Sequence, residues 1–279
     1  MLKIGTLNLN GEMWNLNGKW PRISKKIIDP EYIKEQMTDA VITQLGKILN
    51  KKEYDIIAIQ ELVYIQEHFS KIKKMIDNEN YVLITPNSLG GNIHFTTAFI
   101  VKKNIEKKVK ARVDYNWNNR FMAIDVETKD GIIAVCNFHI SKDNISKRVE
   151  DVINKLKEKE VSKFIILGDF NAYTKEQDTK IISAVSENNI IYKVRNEYKL
   201  IECGKDTDYT YVLTKYERKL DHIFKSEEIK ELNGYETINR KVNFMIDEKD
   251  GFTDHSMLNI EIDYDIYKEF DEIKNNTFN

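Results

Sequence analysis

The stretch Ile166-Leu167-Gly168-Asp169-Phe170-Asn171-Ala172-Tyr173 (ILGDFNAY, residues 166–173) carries an apolar run that begins at Lys163 into a sudden cluster of polar groups. A short β-branched run without a breaker predicts a strand over 163–168, and its nearly continuous apolar character fits a sheet covered on both faces. Side chains alternate across a strand, so Asp169 and Asn171 project to one side while Phe170 projects to the other. A carboxylate and a carboxamide can therefore converge on one ligand just past the end of the strand.

The same ending recurs along the chain. Strands are predicted at 2–9, 55–60, 96–102, 121–127, 131–139, 220–225 and 256–263. The first ends in Asn8 and Asn10, the second in Gln60-Glu61, and the run 131–139 in Asn137 and His139. Amphipathic stretches alternate with the strands: 31–51, with Ile33, Met37, Val41, Leu45 and Ile48 on one face, then 64–77, 145–160 and 176–188. That alternation predicts an α/β protein, in which ligands bind in the crevice outside the strand ends. Oxygen-rich groups without a cysteine cluster suit Mg²⁺ or Mn²⁺ better than zinc.

Taken singly, each residue has a plain structural reading. A strand-end Asp or Asn caps a helix or closes a turn, and Asp254-His255 reads equally well as a cap before the last strand. Asp221 is different, because an unpaired carboxylate inside the apolar run Leu220–Phe224 would be costly; it needs a partner, and a histidine is plausible. His222, directed oppositely, reads as packing or surface, and His68 and His94 as surface residues.

With 279 residues and 41% hydrophobic content, the chain can bury a full core, which excludes a disordered chain or a disulfide-stapled miniprotein. Its 43 basic and 45 acidic residues nearly cancel, so any basic surface has to be local. Two segments qualify: 11–30, with Trp14, Lys19, Trp20, Arg22, Lys25 and Lys26, and the run 102–112 (KKNIEKKVKAR), followed by Tyr115, Trp117 and Arg120. Cys136 and Cys203 are the only cysteines and no charged-then-apolar leader opens the chain, so a reduced, cytoplasmic protein is expected. No apolar run approaches the roughly 18 residues of a membrane span, and no stable membrane insertion is expected. No linker divides the chain. A single domain over 1–265 with a polar tail over 266–279 is expected, as a monomer.

In order, the motifs TLNLNG (6–11), IAIQE (57–61), the Arg120 strand, NFHIS (137–141), ILGDFNAY (166–173), KLDHIF (219–224) and TDHSML (253–258) resemble the endonuclease/exonuclease/phosphatase superfamily. The resemblance implies a four-layered α/β sandwich of the deoxyribonuclease I type, with two packed mixed β-sheets flanked by helices. It also implies roles. Glu61 would be the main metal ligand, with Asn8 beside it and Asp254 supporting the metal side. Asp169 and Asn171 would hold the scissile phosphate or the attacking water. His255, oriented by Asp221, would be one catalytic histidine, with the general base either that pair or Asp169. His139 would serve the leaving oxygen, and Asn10, Arg120 and Tyr173 would contact phosphate or substrate. Relatives that cut at apurinic sites usually carry Asp at the position of Asn10 and Tyr at that of His139, so this chain resembles the histidine-containing branch.

The function implied is Mg²⁺-dependent hydrolysis of a phosphodiester, foremost by an endonuclease on nucleic acid. A phosphatase or a sphingomyelinase-like phospholipase C acting on inositol phosphates or lipids is the enzymatic alternative. A non-catalytic binding module on the same fold is the other, although such a module has no need of both His139 and His255.

Overall fold

The computed structural model describes residues 1–10, 30–86, 95–112, 118–140, 145–172, 190–205, 208–213, 216–238, 253 and 255–264. Two six-stranded sheets lie at its centre. One runs β13 (Glu231–Ile238), β14 (Met257–Ile262), β1 (Leu2–Asn8), β2 (Ile56–Val63), β4 (Phe95–Lys102) and β3 (Tyr81–Ile84). The other runs β5 (Val109–Ala111), β6 (Phe121–Thr128), β7 (Gly131–His139), β8 (Phe164–Asp169), β12 (Asp221–Lys225) and β9 (Ile201–Glu202). A hairpin of β10 (Tyr211–Leu213) and β11 (Tyr216–Arg218) stands apart.

Strand alternation sorts the apolar residues into three cores, and these define four layers. Leu2 and Ile4 of β1, Ile56 and Ala58 of β2, Ile133 and Val135 of β7, and Ile165 and Leu167 of β8 meet in a core between the sheets. The intervening residues turn outward. Leu7, Ile57 and Ile59 pack under α1 (Pro30–Asn50) and α2 (Gln66–Asn78). Cys136, Phe138, Ile166 and Phe170 pack under α3 (Ile145–Glu158) and α4 (Ile190–Asn196). Strands buried on both sides explain the nearly continuous apolar runs in the sequence. The fold is thus the four-layered α/β sandwich expected.

Each sheet contains one parallel pair, β1 with β2 and β7 with β8, amid antiparallel neighbours. A parallel pair needs a crossover, which α1 and α3 supply. Both pairs end at the same end of the sandwich, where Asn8 and Glu61 face His139 and Asp169 across the gap between the sheets.

The eight predicted strands are present, seven to within one residue at their ends, while β2 runs three residues past its predicted end at Gln60. The helices predicted at 31–51, 64–77 and 145–160 form as α1, α2 and α3. The expected helix 176–188 lies outside the described residues, as do Trp14, Trp20, His94, Tyr115, Trp117 and the tail 266–279. No described helix is long and apolar enough to cross a membrane. Two expectations are corrected. His68 is buried, with its Nδ1 2.7 Å from Thr38 Oγ1 between α1 and α2, and is not a surface residue. The basic run 102–112 starts far from the site: Val101 pairs with Ile56 at the start of β2, whereas Phe95, at the other end of β4, pairs with Val63 beside Glu61, and only its last residues, Ala111 and Arg112, turn back along β6 toward Phe121. Seven strand residues separate those ends, about 20 Å. The run folds back on its own sheets instead, through Lys102 to Asp55 and Arg112 to Asp125.

Candidate active site

Asn8 ends β1 on its inward face and is fully buried. Its Nδ2 donates to Glu61 Oε1 at 3.1 Å and to Asp169 Oδ2 at 3.0 Å. Its Oδ1 is already occupied, accepting the Asn10 N–H at 2.7 Å. That bond sets the amide orientation, because a flipped amide would put NH₂ against N–H. Asn8 therefore presents nitrogen, not oxygen, to the two carboxylates and clamps them together.

Glu61 reaches this point only through a backbone irregularity. Simple alternation from Ala58 inward and Ile59 outward would send Gln60 inward and Glu61 out toward the helices. The pairing of β2 with β4 instead shifts register between Ile59 and Leu62, and Glu61 takes φ +53°, a left-handed conformation. An extra residue in a strand re-aims the side chain it carries. Gln60 and Glu61 thus both face the other sheet, and Leu62 rejoins the outer core.

From the second sheet, His139 brings Nε2 to 3.2 Å from Glu61 Oε1 and 3.9 Å from Asp169 Oδ2. Glu61, His139 and Asp169 are all buried, and a ligand atom from each lies within 4.8 Å of the others. Asp169 accepts the Asn171 N–H on Oδ1 at 2.8 Å, and Asn171 Nδ2 donates to Asp169 Oδ2 and to the Ile140 carbonyl. Burial pushes the Asp169 carboxyl up from its usual range, and the neighbouring Asp221 charge adds to this, while His255, His139 and the Asn171 N–H pull the other way.

Asp221 pairs directly with Asp169 in the β12–β8 register, so the two carboxylates stand side by side facing inward. The partner Asp221 requires is His255, whose Nδ1 lies 2.7 Å from Asp221 Oδ2. A carboxylate on Nδ1 fixes the Nδ1–H tautomer, so the lone pair lies on Nε2. That Nε2 faces Asp169 Oδ2 at 3.9 Å. Arg120, half-buried, places Nη1 3.1 and 3.2 Å from the two ring nitrogens of His139 and stacks on Phe95, with its guanidinium 5.0 Å from the ring centre. Asp254 and Tyr173 lie outside the described residues.

Thr253 and Thr210 were not singled out from the sequence, and Gln60 and Asn137 were read only as polar strand ends. Thr253 Oγ1 donates to the Asn8 carbonyl and accepts the His255 N–H, tying the end of β1 to the segment that enters the neighbouring β14. Thr210 Oγ1 accepts the N–H groups of Leu220 and Asp221, each at 3.0 Å. Asn137 Nδ2 donates to the carbonyls of Ile59 and Ala98 in the facing sheet, and Gln60 Nε2 donates to Asn137 Oδ1 at 2.7 Å. The available signal was polarity at inward strand positions, which Thr6, Gln60 and Asn137 all show.

Two sheets whose parallel pairs end in facing carboxylates, amides and histidines define the class of the deoxyribonuclease I-like sandwich. The model of the endonuclease/exonuclease/phosphatase family matches residues 5–255, and the chain belongs to that family. Among solved structures, the endonuclease domain of TRAS1, a telomere-specific non-LTR retrotransposon, superposes with a TM-score of 0.59 at 14% identity, covering 94% of this chain and 99% of that one. The 3′ phosphatase NExo from Neisseria, bound to a product DNA hairpin, gives 0.60 at 15% identity, covering 94% and 100%. ANGEL2, a 2′,3′-cyclic phosphatase in complex with adenosine-2′,3′-vanadate, gives 0.63 at 11% identity, covering 94% and 95%. At such identities the likeness concerns the fold. No curated protein matches the chain by sequence.

Proposed function

We propose that the chain is a Mg²⁺-dependent phosphodiesterase acting on nucleic acid, foremost as an endonuclease. The observation that carries the hydrolytic reading is the Asp221–His255 pair aimed at the Glu61–His139–Asp169 cluster. The cluster's chemistry fits a divalent cation. Two buried carboxylates share one neutral amide from Asn8, which offsets little of their charge, and oxygen donors with one imidazole suit Mg²⁺ or Mn²⁺. Glu61 and Asp169 would hold the ion, with Asp254 in the supporting role that the family resemblance implies. Bound there, the ion would neutralise phosphate charge and favour ionisation of a water.

The remaining work falls to the chain itself. His255 would take a proton from the attacking water at Nε2, with Asp221 stabilising the imidazolium that forms. Asn8 acts here by spacing Glu61 and Asp169 rather than by ligation. Asn171 and Asn10 would orient the phosphate, Arg120 would offset its charge, and Tyr173 would contact the substrate. His139 would protonate or stabilise the leaving oxygen. Relatives bearing nuclease and DNA 3′-phosphatase names support a nucleic-acid substrate.

The test is incubation with plasmid DNA and RNA in Mg²⁺ or EDTA, comparing the wild type with Glu61→Ala and His255→Ala. Metal-dependent cleavage lost in both variants is expected; cleavage by neither wild type nor variants, or equally by all, overturns the proposal. One observation favours a phosphatase as the second reading: the lysines that open the basic run, Lys102 and Lys103, sit at the end of β4 remote from Glu61, which removes one reason to expect a long polyanion. Release of inorganic phosphate from mononucleotides or inositol phosphates, with DNA and RNA intact, would establish that reading.

A further inference from the structure

Behind the site, on the outer face of the second sheet, lies a buried charged cluster that the proposed chemistry does not use. His222 is fully buried beside Asp221 but points away from it, its ring parallel to Phe224 at 5.6 Å and edge-on to Phe170 at 5.6 Å. Its Nδ1 lies 2.8 Å from Glu202 Oε1, and its Nε2 lies 2.8 Å from the carbonyl oxygen of Ala172. Lys219 Nζ, itself fully buried, reaches the same Glu202 oxygen at 2.7 Å and also donates to the Lys205 carbonyl. Arg195, from α4, holds the other Glu202 oxygen with Nε at 2.5 Å.

The two His222 nitrogens thus face two acceptors on different segments, Glu202 Oε1 and the Ala172 carbonyl, and the ring bridges them. Glu202 is held as a carboxylate. Although burial raises its carboxyl, His222 and Lys219 outweigh that and hold it well below the usual carboxylate range. A carboxylate with strong donors on both oxygens is a fixed anchor. His222 is therefore a rigid strut between Glu202 and the backbone immediately after Asn171.

That backbone needs holding. Asn171 has φ +48°, so the chain leaves β8 through a left-handed residue, and this turn makes both the Asn171 N–H and Nδ2 contacts to Asp169. Before it, the Phe170 N–H is bonded to the Leu220 carbonyl at 2.9 Å. After it, the Ala172 carbonyl is bonded to His222. The turn is thus clamped on both sides of Asn171 by the segment that carries Asp221.

We infer that His222, anchored by Glu202, is a positioning residue that locks the Asp169–Ala172 turn and so sets where Asp169 and Asn171 stand relative to the substrate. This rests on the hydrolytic reading above for its effect on turnover, but the strut itself does not. Displacing reacting groups by about 1 Å costs on the order of 100-fold in rate, and outer partners of this kind are worth about 10- to 100-fold.

The test exploits which nitrogen each amide mimics. Gln at 222 can present a donor where His222 Nε2 stands, keeping the Ala172 tether; Asn can present one only where Nδ1 stands, keeping the Glu202 contact but losing the tether. On bis(4-nitrophenyl) phosphate, His222→Asn is expected to lower kcat about 10- to 100-fold with little change in KM, and His222→Gln to recover most of it. Thermal unfolding of both variants checks the fold. A role confined to stability would lower both melting temperatures without that split, and equal kcat values in the two variants overturn the inference. Should the wild type hydrolyse no phosphate ester, the functional reading fails, while the strut is still read by NMR. The Asn171 side-chain amide signals shift in His222→Asn and stay in place in His222→Gln if the strut exists, and respond alike if it does not. If His222→Asn does not fold, Glu202→Gln removes the anchor at constant volume and is read the same way.

Discussion

His255 Nδ1 and Asp221 Oδ2 meet at 2.7 Å although the two residues belong to different sheets, His255 preceding β14 and Asp221 opening β12. The pair is at once a contact between the layers and the means by which an imidazole is held in one tautomer. Asp221→Asn is expected to lower kcat by about 100-fold or more near neutral pH, because an amide neither stabilises an imidazolium nor enforces the tautomer. Steady-state kinetics alongside circular dichroism would check this; a variant as active as the wild type contradicts the pairing.

Divalent metal is expected to stabilise the fold through Glu61. At a Mg²⁺ or Mn²⁺ concentration about 100 times its dissociation constant, binding adds about 2.7 kcal/mol, and EDTA removes it. Glu61→Gln should show the same melting temperature with metal as with EDTA. Calorimetry with each metal is the measurement.

Burial raises the Asp169 carboxyl above its unfolded value, so in metal-free protein the folded state binds the extra proton over the interval between the two. Stability therefore falls as pH rises through that interval, starting near the ordinary aspartate value, and the loss persists above it. Asp169→Asn removes this slope while leaving pH-independent losses constant. Urea unfolding in EDTA across acidic to neutral pH should show a less negative slope in the variant; identical slopes would refute the assignment.

Gly168 is expected to be intolerant of any side chain. Its φ is +126°, and a Cβ there would lie 2.0 Å from the Phe138 carbonyl oxygen, which belongs to the neighbouring strand and cannot move cheaply. Gly168→Ala should cost more than the roughly 1–3 kcal/mol of an unfavourable backbone conformation alone. Gly131→Ala, at φ +108° with nothing within 4 Å, measures that conformational part by itself. Chemical denaturation of the two variants compares them directly.

The basic run 102–112 predicts a negative result. Lys107→Glu combined with Lys110→Glu places its charge change well away from the site: Lys110 pairs with Asp125, four residues along β6 from Phe121, about 13 Å, beyond the roughly 8 Å screening length at physiological salt. kcat/KM on a nucleic-acid substrate should change by less than about twofold. A large loss would show that substrate reaches round the sandwich to this end.

The strands and the membership of the site were legible because one physical signal marks both. Apolar runs such as 131–139 and 163–168 need burial on two faces, and polar residues at inward positions near their ends are tolerated only where something offsets them. The edge strands β3, β5, β9 and β13 were not read, since edge strands carry mixed sequences. His68 was misread because a single polar residue on an amphipathic helix looks the same whether it faces water or a buried threonine such as Thr38. His222 carried no sign of its anchor, as Glu202 lies 20 residues away in sequence.

The succession of strands along the chain, the shared face of Asp169 and Asn171, and the need of Asp221 for a partner all follow from the sequence, because a period of two and the cost of a buried charge are local properties. The inward turn of Glu61, the amide orientation of Asn8, the strut from Glu202 through His222 to Ala172 and the remote start of the 102–112 run were decided only by tertiary structure. Each depends on a bulge, a register or a contact between distant segments, and no local pattern in the chain encodes which segments will face one another.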